Sequence, residues 1–214
     1  MVRQLLQKIG TPLPLLLCSA LAIAGPVYQA GDRLTLPPSS KSTITTHSVT
    51  VGTCKFRLRD SLGGKTREYP KEDIPTATYD AKLKRSTLPN ALIIEFQCDT
   101  KGKNEFCRRF SGIEKKDGHW VQWLHPDPDY RAPPEAHFTV RELKSTNATG
   151  ATSTIDDTFG DEQDRVRYLS FCLVSPDGDI LIGGAVVDSL YGKHKSTEPE
   201  VRKLLESIEF IEDR

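Results

Sequence analysis

The residues best equipped for chemistry in this chain are three histidines and a knot of carboxylates. His119, His125 and His137 lie close in sequence to Asp127 and Asp129, and imidazole beside carboxylate can ligate a metal or move a proton. No two of these histidines have a recognised ligand spacing such as H-E-x-x-H, and His119 and His125 bracket a single short apolar run. Ordinary strand-end histidines are therefore expected, with a hydrolase site built from His119, His125 or His137 and Asp127 as the alternative. There is no G-x-S-x-G elbow for a nucleophilic serine. Gly183-Gly184 is not followed by a helix with phosphate-cradling spacing, so it reads as a strand pair approached closely by another backbone or side chain. No cofactor, metal or catalytic residue is expected.

Thiol chemistry comes next. Outside the N-terminal leader the cysteines are Cys54, Cys98, Cys107 and Cys172, an even number that suits two disulfides in an oxidising compartment and allows three pairings. No C-x-x-C pair supports a zinc site. Cys98 and Cys107 flank a polar turn, so a local Cys98–Cys107 bridge is expected, leaving Cys54 with Cys172.

Asp156, Asp157, Asp161, Glu162 and Asp164 surround Phe159-Gly160. The spacing does not match the calcium loop D-x-[DN]-x-[DN]-G. The simplest reading is a solvated loop. The functional reading is a plug in which carboxylates steer and an aromatic anchors, entering a basic or catalytic cleft on a protein partner. Trp120, Trp123 and Tyr130, with the proline-rich segment between them, could complete such a surface, although core packing is the expectation for both tryptophans. Asn147-Ala148-Thr149 has the form of a glycosylation sequon.

These groups must be positioned by secondary structure. Residues 165–174 and 180–187 are two apolar runs separated by Ser175-Pro176-Asp177-Gly178-Asp179, a hairpin signal. Thr197-Glu198-Pro199-Glu200 has capping-box spacing, and Val201, Leu204, Leu205 and Ile208 recur as one apolar helical stripe. That helix is expected to pack on the sheet containing the hairpin. Cys54, Phe56 and Leu58 alternate with Lys55, Arg57 and Arg59, and Leu92, Ile94, Phe96 and Cys98 alternate likewise, so both segments read as strands. Residues 106–113 are expected to be the partner strand of the second, although the parity of Phe106 and Phe110 is opposite to that of Cys107. Asp117-Gly118 is a turn signal before an expected strand over residues 119–124 that holds both tryptophans, and residues 136–143 read as another strand. Residues 60–90 and 144–164 read as polar connections. The sum is roughly six to eight strands, largely antiparallel, with one C-terminal helix: an α+β fold.

The N-terminus has the form of a leader. Arg3 and Lys8 precede an apolar run ending in Ala22-Ile23-Ala24, the A-x-A form of a signal peptidase site. The run is short against the about 20 residues of a membrane span, so a cleaved signal peptide over residues 1–24 is expected, with no membrane anchor left behind. An extended Pro/Ser-rich arm over residues 25–42 and a single α+β domain over residues 43–214 follow. The 29 basic and 29 acidic side chains balance, leaving no overall basic field for nucleic acid or an anionic membrane.

The segments Arg167-Tyr168-Leu169-Ser170-Phe171-Cys172-Leu173, Gly183-Gly184 and Leu204-Leu205-Glu206-Ser207-Ile208-Glu209-Phe210 resemble the C-terminal region of periplasmic immunity proteins that neutralise type VI secretion phospholipase effectors. The resemblance covers the C-terminal quarter of the chain. The cysteine–glycine–arginine segment that opens those proteins would fall at Cys54-Lys55-Phe56-Arg57, which departs from it. The resemblance implies a non-enzymatic periplasmic protein whose partner is a secreted toxin. A periplasmic or secreted hydrolase and a non-inhibitory envelope scaffold are the alternatives.

Overall fold

A computed structural model describes residues 44–83, 91–99, 105–127, 131–192 and 195–211. The leader, the arm, Asp129 and Tyr130 lie outside the described residues. The strands, in chain order, are β1 (Thr45–Val51), β2 (Cys54–Asp60), β3 (Lys65–Tyr69), β4 (Thr76–Ala81), β5 (Leu92–Asp99), β6 (Ile113–Lys116), β7 (His119–Gln122), β8 (Thr139–Lys144), β9 (Thr149–Asp157), β10 (Val166–Val174), β11 (Ile180–Ser189) and β12 (Glu209–Phe210). The helices are α1 (Glu105–Ser111) and α2 (Glu198–Glu206). Strands take up 51% of the described residues and helices 15% when the short 3-10 turns at Pro134–Ala136 and Glu162–Asp164 are included, so the antiparallel sheets dominate more than an α+β expectation implies.

The central sheet has the order β3-β4-β5-β11-β10-β9-β8. The expected hairpin lies at its middle, with Leu173 opposite Leu181 and Val174 opposite Ile180. Its turn closes by a Gly178 N–H donated to Ser175 O at 3.1 Å, Gly178 sitting at a φ of 90° that glycine adopts without strain.

Strand alternation sends successive side chains to opposite faces, and both faces of the hairpin are covered. On the first face, Leu169, Phe171, Leu173, Leu181, Ala185 and Val187 pack against β2 and β5 and against the buried α2 stripe Val201, Leu204, Leu205 and Ile208. Phe96 is the aromatic centre of this core, its ring centroid 5.4 Å from Phe56 and 5.7 Å from Phe171. The sheet β1-β2-β12 forms the outer layer here. On the second face, Cys172, Ile180 and Ile182 join Cys107 of α1 and Ile113 and Trp120 of the β6–β7 hairpin. Gly183 is needed where the flanking strands of the same sheet come close: a Cβ there would lie 1.8 Å from Glu95 O of β5 and 2.7 Å from the Phe171 ring of β10. Gly184 meets the Tyr168 ring in the same way, so the close approach expected of this pair is present.

The disulfides join Cys54 to Cys98 and Cys107 to Cys172, correcting the expected Cys98–Cys107 and Cys54–Cys172 pairing. The reason lies in the alternation. Cys54 and Cys98 share a parity with Phe56 and Phe96 and so meet beside the first core. Cys172 has the parity opposite to Phe171, faces the second core and meets α1. Residues 105–111 are helical rather than a strand, which places Cys107 and Ser111 four residues apart on the buried side and explains the parity mismatch there.

Two polar connections are strands instead. Residues 65–69 and 76–81 extend the central sheet as β3 and β4, and β9 is a nine-residue strand of small side chains. Gly150 in β9 leaves no room for a Cβ, which would lie 2.0 Å from Cys172 O. The capping box at α2 does not form: the Thr197 hydroxyl donates to Val187 O at 2.9 Å, and Ser196 Oγ accepts the Glu198 N–H at 3.2 Å.

One buried carboxylate joins the layers. Asp60, 0% exposed, accepts the N–H groups of Leu62, Gly63 and Gly64 at 2.6, 3.0 and 2.7 Å. It also accepts the Tyr79 hydroxyl at 2.6 Å and faces His47 Nε2 at 3.3 Å. Burial alone would raise its pKa, but the Tyr79, Leu62, His47 and Gly64 hydrogen bonds outweigh it and hold the carboxyl below the ordinary aspartate range. Burial and the neighbouring carboxylate push Tyr79 up in turn.

Peptide mapping without reduction should recover Cys54–Cys98 and Cys107–Cys172. Removing either bridge by paired Cys→Ser substitution should lower unfolding free energy by about 4 kcal/mol, on a chain-entropy account of loops this long. Asp60→Asn should lower it by roughly 2–4 kcal/mol, because an amide cannot accept every donor converging there. The stabilisation from Asp60 is complete above the unfolded aspartate pKa of about 3.9 and is lost as pH falls through the lower folded value. Acid unfolding of the variant should therefore depend less steeply on pH than that of the parent chain.

Candidate functional site

The covering of the second face stops short of the far end of the sheet, and a cleft opens there. Its floor is Ser153, Ile155 and Ser170 of β9 and β10, and its volume is about 790 Å³. One wall is the end of α1, where Gly112 terminates the helix at a φ of 62° and its N–H bonds Arg108 O at 3.1 Å. Two serines seat that end on the sheet: Ser111 Oγ donates to Phe171 O at 2.8 Å, and Ser153 Oγ donates to Ser111 O. The opposite wall is the segment after β7, fixed by the Trp123 N–H donating to Gly112 O at 2.9 Å. Arg131 Nε reaches back to His125 O at 2.8 Å and its Nη2 to Pro126 O at 3.4 Å, which holds Arg131 on the same side.

The acidic loop forms the remaining rim. Phe159 stands at its tip, 83% exposed, and lines the cleft mouth together with Phe110 and Leu124, which are 50% and 58% exposed. Asp157 shapes the tip by accepting the Phe159 N–H at 3.1 Å. Asp157, Asp161, Glu162 and Asp164 are all exposed around it. Phe159, Phe110 and Leu124 are thus three large apolar side chains left in water beside four exposed carboxylates.

Two of the residues expected at a partner surface are internal. Asp156 is 6% exposed, because it stands directly opposite Arg167 in the β9–β10 register. Its carboxylate takes a bidentate pair from Arg167 at 2.6 and 2.9 Å and a contact from His137 Nδ1 at 3.0 Å. Burial opposes the charge on Asp156, but the Arg167 and His137 hydrogen bonds outweigh it and depress its pKa. Asp156 is thus the base that holds the loop, not a contact on it. Trp120 is likewise buried, in the second core, as expected for core packing. Trp123 is half-buried and lines the cleft, its ring edge-on to His125 at 5.1 Å.

The histidines do not converge. His119 faces Glu142 of β8 at 3.9 Å and His137 faces Asp156 of β9. Glu142 is paired with Ala151, five positions along β9 from Asp156, which separates the two partners by about 17 Å at the strand rise. His125 Nδ1 lies 3.1 Å from the backbone nitrogen of Asp127, as in a local turn. Among the described residues no three His, Cys, Asp or Glu side chains come together as a metal site. Asn147 is also spent: its amide donates to Phe210 O at 2.9 Å and accepts the Phe210 N–H at 2.8 Å, pairing the end of the chain. The sequon therefore reads as a structural bridge. Sequence reasoning missed the cleft itself, because α1 was read as a strand and the basic residues Arg108 and Arg109 had no place beside Phe159.

In comparisons with known proteins, no protein-family model matches the chain and no curated protein matches it either.

Breaking the loop base should be measurable. Asp156→Ala leaves Arg167 without its partner and should lower unfolding free energy by about 3 kcal/mol. Because folded Asp156 titrates below the ordinary aspartate value, the difference between variant and parent should be full at neutral pH and shrink as pH falls through the depressed value. Chemical denaturation across a pH series checks both.

Proposed function

We propose that this is an exported, non-enzymatic protein that binds and inhibits another protein, acting as an immunity protein against a secreted antibacterial toxin. The observation that carries the reading is the Phe159 loop: an aromatic side chain 83% exposed, set among Asp157, Asp161, Glu162 and Asp164. Exposing a ring to this extent is unfavourable in isolation and favourable when a partner's pocket receives it. The carboxylates steer approach toward a basic surface and hold register once there. The loop stands on the Asp156–Arg167 pair, so it meets a partner largely pre-formed, which limits the ordering entropy lost on binding.

Other features agree with this reading. Two disulfides are the mark of an oxidising, exported setting. The leader expected over residues 1–24 would direct the chain to the periplasm or the exterior. Among the described residues no helix is long and apolar enough to cross a membrane. The resemblance of the C-terminal quarter to immunity proteins supplies the kind of partner.

The test is a capture experiment in periplasmic extract, with the parent chain and Asp157→Lys/Asp161→Lys as baits. The parent should recover a stoichiometric protein that is toxic when produced alone and harmless when produced with the parent chain. The double variant should fold with the same circular dichroism and bind that protein at least about tenfold more weakly, as reversed charges at a complementary surface do. Recovery of no stoichiometric partner, or equal recovery by the variant, would overturn the proposal.

A further inference from the structure

The cleft and the loop beside it carry opposite charge. Among the described residues, the titratable side chains lining the cleft are Arg108, Arg109, Arg131 and His125, and no described carboxylate lines it. Arg108 is held by Glu114 at 2.7 Å and Arg131 by the carbonyls of its own segment. Arg109 is exposed on the outer side of α1 and forms no ion pair among the described residues. The cleft is therefore a basic slot with aromatic walls, and the loop that borders it is an aromatic ring among four exposed carboxylates.

We propose that the occupant of this cleft is the Phe159 loop of a second copy of the same chain. One chain carries both halves of the contact, and the two halves are adjacent, since Phe159 stands on the cleft's own rim. Adjacency decides the symmetry. A two-fold axis beside Phe159 lays each loop over the other copy's cleft and satisfies both contacts at once, whereas an open head-to-tail arrangement leaves a loop unfilled at one end and a cleft at the other. Without Arg3 and Lys8 of the leader, the 29 basic side chains become 27 against 29 acidic ones, a net charge of −2 that leaves little net repulsion between two copies. The cleft, at about 790 Å³, is in the range that encloses a drug-sized ligand and so has room for a loop tip, and Phe159 docked there also covers Phe110 and Leu124. This goes beyond the proposed function: the dimer shelters the loop, and partner binding and self-association compete for it.

Sedimentation velocity over micromolar to millimolar concentrations tests this without the toxin. The leaderless chain should dimerise. Arg109→Glu and Asp161→Lys/Glu162→Lys should each raise the dimer dissociation constant by at least about tenfold. An equimolar mixture of the two should dimerise again, because parent loop meets parent cleft at one contact and reversed loop meets reversed cleft at the other. Phe159→Ser, on an exposed side chain, should also disrupt the dimer. A parent chain that stays monomeric throughout, a dimer unaffected by these substitutions, or a mixture of two folded variants that stays monomeric would each overturn the proposal. None of these outcomes bears on toxin capture, so the two readings fail separately.

Discussion

The structure depends on the need to bury both faces of one hairpin. β10 and β11 are apolar on both sides along Leu169, Phe171, Cys172, Leu173, Ile180, Leu181 and Ile182, and an antiparallel sheet with that pattern cannot leave either face in water. The outer three-stranded sheet and α2 meet the demand on one side, and α1 with the β6–β7 hairpin meets it on the other. Each cover is tied to the central sheet by its own disulfide. The covers are unequal in extent. Where the smaller one ends, at Gly112 and Ser111, the sheet continues and the cleft begins, so the candidate site is the unpaved remainder of the second face.

Burial and charge are divided between neighbouring residues of one loop. Asp156 and Asp157 are consecutive, yet one faces inward to Arg167 and the other outward beside Phe159. Strand alternation accounts for this at the end of β9: the inward position demands a cation and finds it directly across the ladder. The result is a rigid stem beneath a charged, aromatic tip. The same economy appears at the other end of the molecule, where Asp60 absorbs three backbone donors of the turn after β2 and so fixes β1, β2 and β4 together.

Much of this was legible in residue order. The hairpin, its turn, the α2 stripe and the close approach at Gly183-Gly184 follow from period and composition, because each is fixed by nearest neighbours along the chain. The disulfide pairing was not legible: β10 is apolar on both faces, with Phe171 and Cys172 equally buried, so residue order does not tell which face meets β2 and which meets α1. Two signals misled. Small, polar β9 looks like a loop because Gly150, Ala151, Ser153 and Thr154 carry little hydrophobicity, yet the tight approach of α1 and β10 demands small side chains there. The histidines invite a common site by proximity in sequence, and the stretch of β9 between the partners of His119 and His137 keeps those two apart. The cleft was not legible, since it is defined by where a cover stops rather than by any residue pattern.

The proposal that the Phe159 loop meets a protein partner can be put to in-cell photocrosslinking. A photoreactive residue placed at position 159 in the native host should give covalent protein adducts, while the same residue at exposed Ile74, on the turn between β3 and β4, should give none of them. Adducts of equal yield from both positions, or from position 74 alone, would contradict it.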